Sequence, residues 1–180
     1  MSAFVVAVSV NPEHTLSKAN QNSIRLVRGV GITGDAHAGK NDQHRSHSKR
    51  DPKRPNLRQV HLIHSEFYEE LDAAGFSVLP GQLGENITTK GLELLKLPSA
   101  AKLFIGRQTA LQVTGLRDPC KQLNSIQAGL MEATIERKSD GGLIRKTGIM
   151  SVVIKGGEIK PGDPIRVEMP PEPHKPMGPV

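Results

Sequence analysis

The sequence predicts a mainly β fold, a closed or partly closed β-barrel with a few peripheral helices. Glycine and proline supply 18 and 13 of the 180 residues, a turn-rich composition that favours many short strands. Several short β-branched runs are bounded by turn residues, and one such run lies near each end of the chain. Few segments have helical periodicity. Periodicity alone leaves a sandwich of two sheets as an alternative nearly as good.

In the first half of the chain, the predicted strands are separated by two loops of different character. Residues 29–39 are too rich in glycine for a helix or a strand, and residues 40–56 are polar and basic. A helix is predicted over residues 66–74, with Ser65 as its N-cap and Gly75 as its end. The strands are predicted at residues 4–10, 24–28 and 57–63, and in the segment 81–89, which begins with a turn.

In the second half, apolar runs and turn residues predict four strands and one helix. Ile126 and Leu130, with Ala133 or Thr134, share one face of a helix over residues 125–137. The strands are predicted as a pair within residues 102–114 joined at Gly106 and Arg107, one strand at 148–154 and one at 164–168.

The length and composition predict a single domain over residues 1–169, with a basic loop insertion at 40–56 and a disordered, proline-rich tail at 170–180. One cysteine cannot form an internal disulfide. The apolar start lacks the basic segment of a signal peptide, and no run approaches the roughly 20 apolar residues of a membrane helix. These observations predict a cytoplasmic protein without a membrane partner.

The charge predicts anionic partners, because the formal net charge is +6. Aromatic residues make up only 3% of the chain and tryptophan is absent. A groove for single-stranded nucleic acid uses aromatic rings as stacking platforms, so a nucleic-acid partner is disfavoured. A small phosphorylated ligand is the preferred partner.

Cys120 is the first candidate for chemistry. A thiol reacts as its thiolate, which nearby positive charge stabilises, and Arg117 and Lys121 supply that charge. Pro119 stiffens the turn before the sulfur, whereas the carboxylate of Asp118 opposes the thiolate. The alternative is a small buried apolar side chain, a common role of lone cysteines.

Asp35 and His37, in the glycine-rich loop, are the second candidates. Asp35 is placed to hold His37 in one tautomer or to accept hydrogen bonds from a heterocycle. The N–H groups of the loop are suited to an anion. The alternative is a glycine turn in which Asp35 makes an Asx-type bond to its own backbone.

The remaining histidines give weaker signals. His37, His44 and His47 lack the spacing of a common zinc site, so a solvated loop is preferred. His61 and His64 lie three residues apart on a predicted strand and should point to opposite faces. At most one of these two is therefore expected to line a shared site.

Arg58 differs from the other basic residues of the neighbouring run because it opens a strand and is held in place. Its guanidinium is placed to bind a phosphate through two parallel hydrogen bonds. The basic run at residues 45–58 has no interleaved aromatic residue, and its alternative interpretation is a solvated surface.

Five segments, in order, resemble the MOSC domain, the module named for the C-terminal part of molybdenum-cofactor sulfurases. They cover nearly the whole chain before the tail, and five in order are far more specific than any one alone. The segments are residues 31–39 (GITGDAHAG), 58–63 (RQVHLI), 84–92 (GENITTKGL), 113–120 (VTGLRDPC) and 156–163 (GGEIKPGD).

The resemblance implies a MOSC-type β-barrel, similar to the β-barrel of pyruvate kinase, and a functional cysteine at Cys120. In relatives that cysteine ligates the molybdenum of the molybdenum cofactor (molybdopterin) or carries sulfane sulfur as a persulfide. A thiolate is a soft ligand of the kind such a metal accepts. The cofactor-binding residues that the resemblance implies are Asp35, His37, Arg58, Asn86, Arg117 and Lys121.

The resemblance is to the small free-standing MOSC proteins. The chain has no room for the pyridoxal-phosphate desulfurase domain of sulfurases or for the additional N-terminal β domain of the larger reductases. One expected function is an oxidoreductase that reduces N-hydroxylated compounds with electrons from a separate donor. The others are a sulfur carrier charged by a cysteine desulfurase and a non-catalytic barrel that binds anions or nucleic acid. The 40–56 loop is expected to act as a lid or to be disordered.

Overall fold

One eight-stranded, mostly antiparallel sheet organises the computed structural model, which describes residues 2–43 and 50–180. Within those residues the strands are β1 (Phe4–Val10), β2 (Ala19–Gln21), β3 (Ile24–Val27), β4 (Gly31–Ile32), β5 (Val60–His64), β6 (Ile87–Lys90), β7 (Lys102–Ile105), β8 (Thr109–Leu116), β9 (Ile135–Arg137), β10 (Leu143–Arg145), β11 (Ile149–Lys155), β12 (Gly157–Ile159) and β13 (Ile165–Glu168). The predicted mainly β class is confirmed.

The strand order of the large sheet is β13–β7–β8–β11–β5–β6–β1–β2, and β12–β3–β4 and β9–β10 form two smaller sheets. These ladders are open, so the described residues do not form a fully closed barrel. The strand next to one end of the large sheet nevertheless meets the other end, because Phe4 of β1 forms an isolated bridge with Pro164, directly before β13. The Val5 N–H donates to the Asp163 carbonyl at 2.9 Å, and the Ile165 N–H donates to the Ala3 carbonyl at 2.8 Å.

The helices in the described residues are α1 (Glu66–Ala73), α2 (Leu130–Ala133) and two 3₁₀ helices, Leu94–Lys96 and Lys121–Ser125. The helix predicted at 66–74 is confirmed. Ser65 was predicted to cap it, but its side chain makes no capping hydrogen bond to the helix backbone. No helix among residues 2–43 and 50–180 is long and apolar enough to cross a membrane.

The helix predicted over residues 125–137 is wrong. The 3₁₀ helix after Cys120 ends at Ser125, and Gly129 adopts a left-handed conformation with φ of 83°. The chain starts α2 only after that turn, where the side chain of Asn124 accepts a 2.8 Å hydrogen bond from the Met131 N–H. Apolar spacing predicted one continuous helix, but the left-handed glycine and this side-chain bond divide the segment.

Two apolar clusters hold the fold together. The larger lies within the sheet and includes Val8, Leu62 and Leu111, none of which is solvent exposed. The smaller packs α1 and α2 against β5 and contains Ile63 and Leu123 among its buried residues. Because Leu123 lies three residues after Cys120, this second cluster fixes the segment that follows the cysteine.

The tail at residues 170–180, which the sequence predicts to be disordered, lies against the body of the protein in the structure. The Ser99 N–H donates to the Lys175 carbonyl at 2.9 Å, and the Leu116 N–H donates to the Gly178 carbonyl at 2.8 Å. Pro179 forms a parallel bridge with Leu116 at the end of β8. The tail therefore runs beside the strand that leads to Cys120.

The ends of the basic loop insertion are joined by backbone hydrogen bonds. The Asp42 N–H donates to the Arg54 carbonyl at 2.9 Å, and the Asn56 N–H donates to the Lys40 carbonyl at 3.0 Å. The histidines considered for zinc at positions 44 and 47 lie outside the described residues.

Candidate functional site

A pocket of about 340 Å³ lies where the Cys120 turn, the glycine-rich loop and strands β5 and β6 converge. Of the seven residues predicted for the site, five line this pocket, namely Cys120, His37, Arg58, Asn86 and Arg117. The other lining residues are His14, Thr15, Leu16, Lys18, His61, Gly84, Gln122 and Met150. Of the two remaining predicted residues, Asp35 is buried beside the pocket and the exposed Lys121 is not part of its lining.

Cys120 stands at the end of an extended turn and directly before a 3₁₀ helix. Its side chain is partly exposed, with Sγ 3.7 Å from the side-chain oxygen of Gln122. The carboxylate of Asp118, which the sequence places as an opponent of the thiolate, forms an ion pair with Arg145. A cation therefore partly balances the negative charge nearest to Cys120 in the sequence.

Cys120 also lines a second pocket, of about 400 Å³, which it shares with Arg58 and Arg117. The tail residues Pro179 and Val180 form part of this second pocket. The cysteine and the two arginines thus lie between two open spaces.

Arg58 is a buried cation two residues before β5, so it does not open a strand as the sequence predicts. It is 8% exposed, and its Nη1 atom donates to the main-chain oxygen of Val180 at 2.9 Å. Burial lowers the pKa of Arg58 to about 10, and the positive charge of Arg117 adds to that shift, whereas the carboxylates of Asp42 and Asp118 oppose it. Because burial remains the largest effect, a buried cation at this position favours an anion in the pocket.

Asp35 lies beneath the pocket and joins several segments of the chain. Its Oδ2 atom accepts hydrogen bonds from Lys18 Nζ at 2.6 Å and from Asn86 Nδ2 at 2.9 Å. Its Oδ1 atom accepts from the backbone N–H of His37 at 3.0 Å and lies 3.3 Å from His37 Nδ1. The first of these His37 contacts is the Asx-type bond of the alternative interpretation. The second fits the tautomer-holding interpretation, so the two coexist.

The Lys18–Asp35 ion pair is almost fully buried, with side-chain exposures of 4% and 0%. Burial by itself would raise the pKa of Asp35, but hydrogen bonds from His37 and the charge of Lys18 outweigh it and hold that pKa well below its usual range. Burial also lowers the pKa of Lys18, and the attraction of Asp35 opposes this shift. Asp35 is therefore an ionised acceptor.

Asn86, predicted as a ligand-binding residue, has its amide committed to the protein. Its Nδ2 group donates to the Ser9 carbonyl at 3.1 Å and to Asp35, and its Oδ1 atom accepts from the His61 N–H at 3.1 Å. These bonds tie β1, β5 and the glycine-rich loop together at the floor of the pocket. Asn86 therefore supports the structure of the site, because both ends of its amide already bond to protein groups.

His61 is the strand histidine that lines the pocket, and His64 is not part of that lining. Burial lowers the pKa of His61 to about 3, and the charge of Arg117 lowers it further. The ring is therefore neutral near pH 7. Its Nε2 atom lies 2.6 Å from the Thr147 carbonyl, which requires a proton on that nitrogen.

No three histidine, cysteine, aspartate or glutamate side chains in the described part of the chain are grouped closely enough to hold a metal ion. Cys120 still offers a single soft sulfur donor beside two guanidinium groups, both facing the same pocket. This donor set fits an anionic group that brings most of its own metal ligands. A pterin cofactor with a dithiolene and a phosphate is such a group.

Sequence reasoning did not propose Lys18, His14 or Gln122 for the site. Lys18 lies in a polar loop before β2, where no motif or periodicity distinguishes a lysine that is buried from one that is solvated. Backbone hydrogen bonds to distant segments position Lys18 and its partner Asp35, from the Lys18 N–H to the Gly81 carbonyl and from the Ala36 N–H to the Asn11 carbonyl. Sequence spacing carries no such signal.

The fold and site define a MOSC domain. The family model described as the MOSC domain matches residues 35–166, a span that includes the glycine-rich loop and Cys120. The chain therefore belongs to the MOSC domain family. No curated protein sequence matches the chain.

Solved structures with the same fold include YuaD from Bacillus subtilis. It has a TM-score of 0.77 and 22% identity, with 95% of this chain and 98% of that chain covered. YiiM from Geobacillus stearothermophilus has a TM-score of 0.64 and 20% identity, with 92% and 75% covered. YiiM from Escherichia coli has a TM-score of 0.58 and 20% identity, with 95% and 72% covered. At these identities the likeness shows the fold alone.

Proposed function

We propose that this MOSC protein binds the molybdenum cofactor and reduces N-hydroxylated compounds, with Cys120 as the protein ligand of the metal. The observation that carries the proposal is that Cys120 and the buried Arg58 line one pocket. A soft sulfur donor and a buried cation suit a ligand that carries both a metal and a phosphate. The cofactor, when bound, supplies the two-electron chemistry.

Each lining residue has a distinct task in this proposal. Arg58 and Arg117 bind the phosphate or another acidic group, because both guanidinium groups face the pocket. Met150 and Leu16 give the wall an apolar part against which a flat ring packs. His61, neutral at pH 7, places an uncharged polar ring beside the substrate. Cys120 holds the metal in the pocket.

The overall reaction is the conversion of R–NH–OH, two electrons and two protons to R–NH₂ and water. The N–O bond breaks, and the oxygen leaves as water. The electrons come from a separate donor protein, which is a proposed partner. We propose a cytoplasmic location, where reducing conditions keep Cys120 available as a thiol. We also infer that the large sheet is a partly closed barrel, supported by the bridge between Phe4 and Pro164.

A sulfur carrier is the second candidate function. Its support is the position of Cys120 in the lining of two pockets, because a donor and an acceptor need to reach one sulfur in turn. In this function Cys120 accepts sulfane sulfur from the persulfide of a cysteine desulfurase and becomes a persulfide itself, while the donor cysteine returns to a thiol.

The molybdenum and pterin contents of the purified protein distinguish the reductase from the sulfur carrier. The wild type, Cys120→Ala and the matched surface variant Ser125→Ala are purified from a host that makes the cofactor. Molybdenum and pterin in the wild type and Ser125→Ala, but not in Cys120→Ala, support the reductase. If the wild type contains neither, the reductase is rejected. Mass spectrometry of Cys120 after incubation with a desulfurase and cysteine then tests the carrier through the gain of one sulfur atom.

A further inference from the structure

A chain of contacts at the pocket joins Lys18, Asp35 and His37, with the carboxylate of Asp35 in the middle. Lys18 Nζ lies 2.6 Å from Asp35 Oδ2, and Asp35 Oδ1 lies 3.3 Å from His37 Nδ1. Exposure rises along this chain, because the Lys18 and Asp35 side chains are buried and the His37 side chain is 31% exposed. His37 and Lys18 both line the pocket that contains Cys120.

The partners of Asp35 determine which nitrogen of His37 carries a proton. An ionised carboxylate only accepts hydrogen bonds, so the contact with His37 requires a proton on Nδ1. Asp35 is kept ionised by its hydrogen bonds from His37 and by Lys18, and Asn86 helps to fix its orientation. In the neutral ring, the Nε2 atom then has a free lone pair.

The position of His37 is fixed from its backbone as well as from its ring. Its N–H donates to Asp35 Oδ1 at 3.0 Å, and its carbonyl accepts from Asn56 Nδ2 at 2.9 Å. The ring of His14 meets the His37 ring edge to face, with centroids 5.3 Å apart. A ring held in this way has little freedom to turn Nδ1 toward the pocket.

We propose that His37 is the proton-transfer residue of the Cys120 pocket, and that Asp35 and Lys18 are the positioning residues that hold its ring. The role rests on the proposed function, because it supplies a proton that the reduction of an N-hydroxylated compound requires. The arrangement follows the general logic of an aspartate that fixes the tautomer of a histidine base. The buried lysine extends it by holding the aspartate in place.

The proton step is balanced without any further reactant. The protonated His37 ring gives its Nε2 proton to the leaving hydroxyl oxygen of R–NH–OH. The Nε2–H bond breaks, an O–H bond forms and water leaves as the two electrons arrive from the external donor. The ring is left neutral, with the proton on Nδ1 still donated in a hydrogen bond to Asp35. The second proton goes from solvent to the nitrogen of the product, and His37 is reprotonated from solvent.

Nitrogen NMR of the imidazole rings tests the positioning without any need for activity. The His37 signal is assigned by its loss in His37→Gln. We expect the neutral ring to be almost entirely the Nδ1–H tautomer in the wild type. In the double variant Lys18→Met/Asp35→Asn, which removes the carboxylate without leaving a buried ammonium, we expect a mixture of tautomers. A wild-type ring that is mainly the Nε2–H tautomer overturns the proposal, as does an unchanged tautomer in the double variant.

Steady-state kinetics tests the proton transfer itself. The probe is benzamidoxime, an N-hydroxylated amidine, with reduced benzyl viologen as the electron donor. We expect kcat to fall about 100-fold or more in His37→Gln with little change in KM and with wild-type contents of molybdenum and pterin. In His37→Gly, added imidazole restores part of kcat, which a purely structural role of the histidine does not allow. His174→Gln, an exposed histidine of the tail, keeps the wild-type rate.

The outcomes separate this proposal from the proposed function. A metal-loaded wild type that reduces benzamidoxime, together with an equally fast His37→Gln, rejects the role of His37 and leaves the function intact. A wild type without metal or activity rejects the proposed function and with it the step at the hydroxyl oxygen. The tautomer measured by NMR then still decides whether Lys18 and Asp35 position the ring.

Discussion

The Nη1 atom of Arg58 donates a 2.9 Å hydrogen bond to the main-chain oxygen of Val180, which is 122 residues away in the sequence. The contact brings the tail against the segment just before β5 that carries the guanidinium, and beside Cys120. The carboxylates of Asp42 and Asp118 attract Arg58 and partly offset the effect of burial on its pKa. The site therefore contains a buried cation that lines a pocket, where a bound anion would add to this attraction.

Arg58→Met is expected to stabilise the protein and to weaken cofactor binding. Burial and Arg117 disfavour the charged form of Arg58, which is why its pKa is lowered to about 10. Because burial is the largest cause of that shift, replacing the buried cation by an apolar side chain of similar length should raise the free energy of unfolding by about 1–3 kcal/mol at pH 7. Urea unfolding measures this change, and pterin content of protein from a cofactor-producing host measures the loss of binding.

Lys96→Met is the control, because the Lys96 side chain is 75% exposed and its ion pair with Glu93, at 2.6 Å, is equally open to solvent. An exposed ion pair contributes about 0–1 kcal/mol, so this variant should differ little from the wild type. Arg58→Met protein that is less stable than the wild type but retains its pterin contradicts the assignment of Arg58 to an anion.

Much of the fold follows from the sequence because its long strands have local signals. The runs that form β1 and β11 are rich in β-branched residues, with Asn11 directly after β1 and Gly148 and Gly156 on either side of β11. The exposed strand β2 has no such signal, since its residues are alanine, asparagine and glutamine. Its pairing depends on the neighbouring β1, which is a tertiary effect that local propensity does not contain.

The site was predicted in part for a similar reason. Cys120, Arg117 and the glycine-rich loop carry local signals, namely a charged turn and a run of glycines. His61 and Asn86 come together because β5 pairs in parallel with β6, and Lys18 is positioned by its backbone bond to the distant Gly81. The hydrogen bonds of the Asn86 amide likewise could not be predicted from the sequence, because its partners lie on three separate segments.

Gly115→Ala is expected to detach the tail from the site. A Cβ atom at residue 115 would lie against the main-chain oxygen of Gly178 and 2.7 Å from Val180 Cγ1, so the tail must move to accept it. Hydrogen–deuterium exchange of residues 170–180 should rise at least about tenfold, because the bonds between Leu116 and the tail are lost. Gly178→Ala is the control, since a Cβ atom there meets nothing within 4 Å. Equal exchange in the two variants would contradict the packing of the tail.

Asp35→Asn is expected to destabilise the protein more than Lys18→Met. The first change leaves the buried ammonium of Lys18 without a negative partner and should cost about 3–5 kcal/mol. The second leaves Asp35 with its hydrogen bonds from Asn86 and His37. Urea unfolding of both single variants and the double variant gives the coupling energy. The double variant should recover at least about 1 kcal/mol relative to the sum of the single changes. Strict additivity would mean that the two side chains do not interact.

The lowered pKa of His61 predicts that the protein loses stability in mild acid. Its pKa is about 3 in the folded protein and about 6.5 in an unfolded chain. Between these values the unfolded state binds one more proton than the folded state, so the free energy of unfolding falls as the pH decreases. From pH 6.5 to 4.5 the contribution of His61 is about 2 kcal/mol. Asp35 also lowers the free energy of unfolding in acid, but only below about pH 4. The pKa of Asp35 is lower in the folded protein than in the unfolded chain, so the unfolded state takes up the proton first.

His61→Gln tests this origin of the acid sensitivity. A glutamine has no proton to gain in this range and can still donate to the Thr147 carbonyl, so the dependence on pH between 6.5 and 4.5 should largely disappear. A smaller dependence should remain from His64, because burial lowers the pKa of that residue as well. Urea unfolding at half-unit steps of pH measures the slopes, with the exposed His174→Gln as control. If His61→Gln keeps the wild-type slope, another group causes the acid sensitivity and His61 is charged in the folded protein.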